Sequence, residues 1–596
     1  MSLKILGFSG LPRSRTYKRT NLAGLTEREY AIFQGADSAA ALVADGRIVA
    51  ASAEERFNGI KHSEVFPRGA ASFCLDAGGL KAEDLDLVAH SFAFGPERSF
   101  YEGLSDYYRG MYDAVFAPEV NQRIAEEALG TNLAGRFLPV PHHLAHAASA
   151  YLPSGFDESL VLVADGLGER NATSIMIARP GGYDVLEELP AHGSLGLLYG
   201  LFTLYLGFWF GDGEYKVMGL APYGDATKYA DVIMDNWVVL EPGGRYSFPI
   251  LLENPTELDK ETYRGALSAM ERLLGPIRGE DDPLEQRHMD IAAGVQAVVQ
   301  TVQMHVLRHF RRETGLRQLC IAGGVGLNCV ANGALLRSKL FDDVYVQPAA
   351  GDDGAALGAA LYAAQVRDGL ASASRDPLLG PDSSEKERRT AAAAVPGVDV
   401  REFASTDELA GEVAALIDGG AIVGWFQGRM EFGPRALGSR SILADPRRPD
   451  MRDRINALVK KRESFRPFAP AVLAEETTEW FEVEQKDVHR FADMLFVAYA
   501  RKARADQLPA TTHVDGSARV QTVSPESNPL FHQLISAFHS RTGVPVLLNT
   551  SFNVRGQPIV RTAREAVDTF LSAGLDALVL GDLVLTRTDE EARGDR

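Results

Sequence analysis

Two hydrophobic periods alternate along the chain and divide it into strands and helices. Lys4-Ile-Leu-Gly-Phe-Ser predicts a first strand. Residues 9–32 then break the pattern with a polar, basic excursion. Asp37-Ser-Ala-Ala-Ala-Leu-Val and Ile48-Val-Ala-Ala-Ser-Ala follow, joined at Asp45-Gly46, a dipeptide suited to a hairpin turn. The arrangement recurs. Leu160-Val-Leu-Val-Ala-Asp165-Gly precedes Ala172-Thr-Ser-Ile-Met-Ile-Ala, a glycine-containing turn after Arg179, and Tyr183-Asp-Val-Leu. In both places an aspartate precedes two strands joined by a turn, which predicts an internal duplication. Residues 286–314 switch to a helical period, with apolar positions at Ile291, Val295, Val298, Val302 and Val306. Strands at Leu319-Cys-Ile-Ala and Val344-Tyr-Val-Gln, with an alanine-rich helix after Gly354, complete an alternating α/β unit.

Periodicity lapses again over residues 367–396, where Gly, Ser, Pro and charges gather. This sets the expected organisation as a first domain over 1–370, a linker over 371–396 and a second domain over 397–596. The second domain has strands at Ala421-Ile-Val-Gly-Trp-Phe, Val544-Pro-Val-Leu-Leu-Asn and Ala577-Leu-Val-Leu, and a helix over 564–571. The last ten residues are charged and expected to fray.

Composition narrows the function classes. The chain has 596 residues, 45% hydrophobic and 24% charged, which suits a globular protein. A net charge of −19 argues against a nucleic-acid partner. Three cysteines, Cys74, Cys320 and Cys329, are too few for a disulfide framework and fit the reducing cytoplasm. The first apolar run precedes its basic residues, the reverse of a secretory leader. Gly193–Gly211 is free of charge over 19 residues, but its five glycines and acidic flanks favour a buried helix over a membrane span.

Candidate chemistry falls in a few places. His142 and His146 stand four apart, so a helix would put both on one face, roughly 5–6 Å apart at Cβ. That spacing suits two imidazoles on one metal, and equally two histidines packed in a core. Asp165 and the pair Asp352-Asp353 follow strands, where carboxylates point into the mouth of an α/β fold. Gly323-Gly324-Val-Gly-Leu-Asn328 and the loop carrying Lys216 are phosphate-binding candidates, with tight turns and a solvated lysine as the bland alternatives. The second domain concentrates cations around Arg435, Arg440, Lys460, Arg466 and Arg519, followed along the chain by Asn549 and Ser551. Arginine forks and lysine point charges suit phosphate groups.

Ordered along nearly the whole chain, further motifs join these: Ala53-Glu-Glu-Arg-Phe with Lys61-His62, His142-His-Leu-Ala-His146, Gly213-Glu-Tyr-Lys-Val-Met-Gly, Gly351-Asp-Asp-Gly, Gly433-Pro-Arg-Ala-Leu-Gly, Phe465-Arg-Pro-Phe and Leu548-Asn-Thr-Ser-Phe-Asn. With them the sequence resembles the NodU/CmcH/TobZ O-carbamoyltransferase family. The resemblance implies an α/β protein with a duplicated actin/sugar-kinase-like (TsaD-like) ATPase domain followed by a YrdC-like domain. The second domain would turn carbamoyl phosphate and ATP, with Mg²⁺ accompanying the nucleotide, into carbamoyl adenylate. The first would transfer the carbamoyl group to a hydroxyl of a small molecule such as an antibiotic or other secondary metabolite. It implies a divalent metal, iron(II), on His142, His146, Asp165 and Asp352, with Asp353 as the alternative last ligand. Arg435, Lys460, Arg466 and Ser551 would act on carbamoyl phosphate and ATP, aided by Arg519 and Asn549. Lys216, Gly323, Gly324 and Asn328 would hold the adenylate, and Lys61 and His62 the substrate. His62 and His143 are candidates for the general base.

The chain departs from the family where a histidine usually precedes the first hairpin's aspartate; here Ala36 precedes Asp37. A tRNA-threonylcarbamoylating enzyme and a non-catalytic scaffold are the competing classes. The acidic charge disfavours the first, and the cation cluster has no purpose in the second. Neither a nucleic acid nor a membrane is expected as partner, and the oligomeric state is left open, a homodimer being one option.

Overall fold

The computed structural model describes residues 3–370, 372–460, 463 and 465–587. The charged C-terminal end expected to fray lies outside them from residue 588 onward. The chain divides into two units. One holds Met1–Asn58 and His62–Arg375, the other Gly59–Lys61 and Asp376–Arg596.

The first unit is built twice over. Strands β1 (Lys4–Phe8), β2 (Ala39–Ala44), β3 (Arg47–Ala53), β4 (Leu87–His90) and β5 (Phe137–Pro139) form a sheet in the order β3-β2-β1-β4-β5. β1 to β3 are antiparallel neighbours, while β4 joins β1 in parallel and β5 joins β4 in parallel. Strands β6 (Ser159–Ala164), β7 (Asn171–Arg179) and β8 (Gly182–Pro190) precede a short ribbon of β9 (Val239–Leu240) and β10 (Tyr246–Ser247). With β11 (Gln318–Ala322) and β12 (Asp343–Val346) they repeat the pattern as β8-β7-β6-β11-β12. Again three antiparallel strands are extended by two parallel ones. The duplication expected from the two hairpins is therefore a duplication of whole sheets.

Two alanine-rich helices pack at close range and fix the site. Helix His142–Ser154 buries nearly its full circumference, and helix Asp352–Asp368 runs between it and β1. A Cβ built on Gly358 would stand 1.8 Å from the carbonyl oxygen of Ala145, and one on Gly7 would stand 2.1 Å from that of Ala356. Only glycine permits these approaches. Replacing Gly358 with alanine is expected to destabilise the fold by roughly 1–3 kcal/mol through overpacking. It should also move Asp352 away from the histidines. Thermal unfolding and metal content measured together would check this, and an unchanged melting temperature would count against the packing argument.

Residues 286–314 form one helix, Gln286–Thr314, with Ile291, Val295, Val298, Val302 and Val306 buried as their spacing predicts. The uncharged segment around 193–211 holds helix Leu195–Tyr205, almost wholly buried. No helix among the described residues is long and apolar enough to cross a membrane. The excursion at 9–32 is more ordered than its polarity suggested, with helices Ser14–Asn21 and Glu27–Tyr30. Lys18 anchors it. Its fully buried ammonium donates to the carbonyls of Ile32 and Glu261 and pairs with the Glu261 carboxylate at 3.5 Å.

The second unit is a mixed eight-stranded sheet. Its strands are β13 (Val398–Glu402), β14 (Val423–Phe426), β15 (Arg440–Ala444), β16 (Ala469–Leu473), β19 (Gln521–Val523), β20 (Val546–Ser551), β21 (Ala577–Leu580) and β22 (Leu583–Arg587), in the order β13-β22-β21-β14-β15-β20-β16-β19. β17 (Val497–Tyr499) and β18 (Ser517–Arg519) pair separately. Part of the expected linker is structured. Helix Glu385–Ala393 starts on a capping box between Ser384 and Glu387 and buries Ala391 and Ala392. Five charged residues at its start hid this helix from a reading by apolar period.

Candidate functional site

In the first unit the four residues singled out as ligands meet. His142 and His146 lie one turn apart on their helix with no exposed surface. Asp165 follows the end of β6, and Asp352 opens its helix. One donor atom from each lies within 4.8 Å of all the others. His142 Nε2 stands 3.1 Å from His146 Nε2, 3.4 Å from Asp165 Oδ2 and 3.4 Å from Asp352 Oδ1. His146 Nε2 is 3.6 Å from the same Asp352 oxygen.

The surroundings aim this set. His142 Nδ1 donates to the Ser91 carbonyl at 3.0 Å, which turns Nε2 toward the carboxylates. Phe92 stacks on the ring at 4.1 Å. Glu169 accepts from the backbone N–H groups of His142 and Ala93 and ties the helix start to the strand end. The Gly324 N–H donates to Asp165 Oδ1 at 3.0 Å. Burial opposes charge on His142, Asp165 and Asp352, yet their mutual contacts keep these three ionised. Asp352 and Asp165 keep His142 well above the usual histidine range, and the histidines hold both carboxylates below theirs. Two imidazole nitrogens face each other across 3.1 Å between two carboxylates, and His146 Nδ1 has no hydrogen-bond partner among the described residues. A divalent cation satisfies this donor set, and two His with two Asp suit a first-row transition ion. Asp353 points elsewhere: its carboxylate accepts from the Gly354 N–H, and burial together with Asp37 pushes it up to about 7.

The other residues expected in this unit divide. Gly323 has φ 86°, and a Cβ there would meet the Ala164 carbonyl oxygen at 2.3 Å, so the strand-end turn itself requires glycine. The side chain of Asn328 caps helix Cys329–Arg337 through Ala331 N–H and exchanges two hydrogen bonds with Gln296. It is committed to holding the loop. Lys216 sits in the first turn of helix Glu214–Leu220, its ammonium 5.4 Å from the centre of the Phe208 ring. His62 bonds to Asp37 and Asp212. His143 is buried, its Nδ1 2.6 Å from Ser174 Oγ, and burial pushes its ring down to about 3.

In the second unit Lys460, Ser551 and Asn549 meet along the last residues of β20. The Lys460 ammonium donates to Ser551 O and Oγ and to Asn553 O and Oδ1, at 2.5–3.2 Å. Asn549 Nδ2 donates to Ala436 O and to Gln521 Oε1, tying β20 to the loop that carries Arg435. Arg519 ends β18, and Arg466 stands 3.7 Å from Glu463.

One organising residue was not singled out from the sequence, and one was given another role. Buried Glu431 accepts from the backbone N–H groups of Leu437, Ser439 and Arg440 and so folds the loop around Arg435. Arg440, which the sequence grouped with phosphate-binding cations, is fully buried instead. It donates to the carbonyls of Gln427, Ser439, Pro381 and Gly428 and stacks 3.6 Å over Phe426.

Comparison with known proteins adds to this geometry. The model of the carbamoyltransferase N-terminus matches residues 32–361, and that of the carbamoyltransferase C-terminus matches residues 414–587. An uncharacterized protein of Synechocystis sp. is 41% identical, covering 94% of this chain and 96% of its own length. Nodulation protein NolNO of Sinorhizobium fredii is also 41% identical, over 92% of this chain and 79% of that one. Among solved structures, full-length HypF in its phosphate- and nucleotide-bound form aligns with a TM-score of 0.30 and 15% identity, covering 62% of this chain and 56% of that chain.

Proposed function

This chain belongs to the carbamoyltransferase family, and from that premise we propose a two-step ATP-dependent transfer of a carbamoyl group to a hydroxyl of a small molecule. In the second unit, carbamoyl phosphate, ATP and one water give carbamoyl adenylate, phosphate and pyrophosphate, the water ending in the phosphate. Lys460, Arg435, Arg466 and Arg519 neutralise the two polyanions, with Ser551 and Asn549 orienting them. In the first unit the adenylate passes its carbamoyl group to the acceptor. Lys216 and the Gly323-Gly324 turn hold the nucleotide there, and His62 borders the acceptor.

The observation that carries this reading is the converging set of His142, His146, Asp165 and Asp352. Iron(II) or a similar ion would act there as a Lewis acid toward the carbamoyl carbonyl or the acceptor oxygen. The chain's own residues fix where the substrates stand, and they exclude water from a centre whose histidines are fully buried. An antibiotic or other secondary metabolite is the acceptor class, and the cytoplasm, where the three free cysteines stay reduced, is the compartment.

The test is pyrophosphate release from ATP. It should require carbamoyl phosphate, proceed without acceptor and leave carbamoyl adenylate visible by mass spectrometry. Metal-loaded protein that releases no pyrophosphate would refute the reading.

A further inference from the structure

His62 is held in an arrangement that core packing does not require. Its Nδ1 lies 3.0 Å from Asp37 Oδ1, so Nδ1 carries the proton and the neutral ring presents its lone pair at Nε2. Nε2 lies 3.5 Å from Asp212 Oδ1, the outer limit of a hydrogen bond, and the ring is 31% exposed. An incoming hydroxyl can take the place of so long a contact.

Backbone strain singles out the same pair. His62 has φ 53° and Asp37 has φ 59°, in the left-handed region that non-glycine residues seldom occupy. Among the described residues only seven non-glycine positions do so, and two of them are the partners in this one hydrogen bond. Strain of this kind gathers at functional sites.

The segment that leads into Asp37 is tied to the loop beside the metal centre. Gln34 Nε2 donates to the carbonyls of Leu167 and Gly168, in the loop that follows Asp165. A Cβ on Gly168 would lie 3.3 Å from a ring carbon of His142. Ser9 Oγ donates to the Asp37 carbonyl, and the Ser38 N–H donates to the Ser63 carbonyl, so Asp37 and His62 ride on one strap. The charge of Asp37 is felt at Asp353, beside Asp352. Nearby His90 and His143 are buried and present no nitrogen to solvent.

Building on the two-step reading above, we propose that the Asp37–His62 pair is the general base that takes the proton from the acceptor hydroxyl. The acceptor oxygen bonds to the carbamoyl carbon while its proton passes to His62 Nε2. The bond from that carbon to the phosphate oxygen breaks, and AMP leaves with the electron pair. Asp37 holds the ring in the right tautomer and balances the imidazolium that forms.

The charged surroundings set the pH dependence. Facing the ring are Asp37, Asp212 with Tyr215 on its carboxylate, and Glu214; Lys61 precedes it in the chain. Burial lowers the affinity of the ring for a proton, but Asp37 and Asp212 outweigh burial and raise it well above the usual histidine value. The ring is therefore protonated at low pH and becomes a base only as pH rises through that raised value. Transfer should increase along the same limb. Removing the Asp212 charge should move the limb toward lower pH.

The experiment follows AMP and pyrophosphate from ATP and carbamoyl phosphate across pH, with metal-loaded full-length protein and molar glycerol as the hydroxyl donor. Asp212→Asn is expected to shift the AMP limb down by about one pH unit. His62→Gln should lower AMP formation by about 10²-fold or more, the usual worth of a positioned base, with pyrophosphate and bound metal unchanged. An unmoved limb in Asp212→Asn overturns the proposal, as does AMP formation retained in His62→Gln. Should His62→Gln lose its metal or fold, the Asp212→Asn profile alone decides. Wild-type pyrophosphate without AMP at any pH overturns the proposal alone. No pyrophosphate at all overturns the two-step reading and this proposal with it.

Discussion

Replacing His142 with alanine should empty the metal centre and abolish carbamoyl transfer while leaving pyrophosphate release intact. The substitution removes the donor that lies within 3.4 Å of the other three ligands. It leaves Asp165 and Asp352 facing a single imidazole in a buried pocket, and the remaining negative charge is poorly balanced. Loss of an outer partner of a metal ligand already costs about 10–100-fold in affinity, so loss of the ligand should cost at least about 100-fold. Phe92 also loses its stacking partner at 4.1 Å. Metal analysis of the purified variant should find the centre empty, and AMP formation should fall below detection. Pyrophosphate formation reports whether the fold survives, because it is assigned to the other unit. Loss of both half-reactions together would show a collapsed protein or a misplaced site. Glu169→Gln makes a graded control. It weakens only the acceptor of the His142 and Ala93 backbone N–H groups and should cost about tenfold in metal affinity.

What the chain announces in advance depends on the range of each contact. The hairpins were legible because apolar strands flank an Asp-Gly turn, and both halves carry the same local pattern. His142 and His146 were legible because one helical turn relates them. Asp165 and Asp352 come from separate strand ends, and nothing local joins them to the histidines; the family resemblance supplied that link. The helix at 14–21 was not legible, because what stabilises it is tertiary: a buried ammonium on the carbonyls of Ile32 and Glu261. Asn328 shows how one chemistry serves two readings. An asparagine after a glycine-rich turn reads as a ligand residue from the sequence, and in the fold the same side chain caps a helix. Arg440 and Arg435 stand five apart in one basic motif, and only burial separates their roles: the first is sealed among carbonyls, the second half-exposed. Polarity in the sequence does not distinguish a cation that stays accessible from one that holds a loop.

Lys460→Met is expected to abolish pyrophosphate release and spare the metal. The lysine ammonium is buried, and four oxygens of Ser551 and Asn553 receive it. Those contacts do two things. They hold the cation at the mouth of β20, and they place Ser551 Oγ, 2.7 Å from Asn553 Oδ1, in a fixed orientation. Methionine keeps most of the stem's packing but removes the charge, so Ser551 and Asn553 lose a shared donor and two polyanionic substrates lose a fixed counter-charge. Removing one preorganised electrostatic group from an active site costs about 10²–10³ in turnover, and that range is the expectation here. The metal content of the other unit should be unchanged, because its ligands all lie between residues 142 and 352. Transfer should then recover when carbamoyl adenylate is supplied from wild-type protein, since the lesion is in making the intermediate and not in using it. Failure of that rescue, with metal intact, would mean that Lys460 also serves the transfer step. Full pyrophosphate release by the variant would remove it from the chemistry altogether and leave it as the clasp between residue 460 and the end of β20.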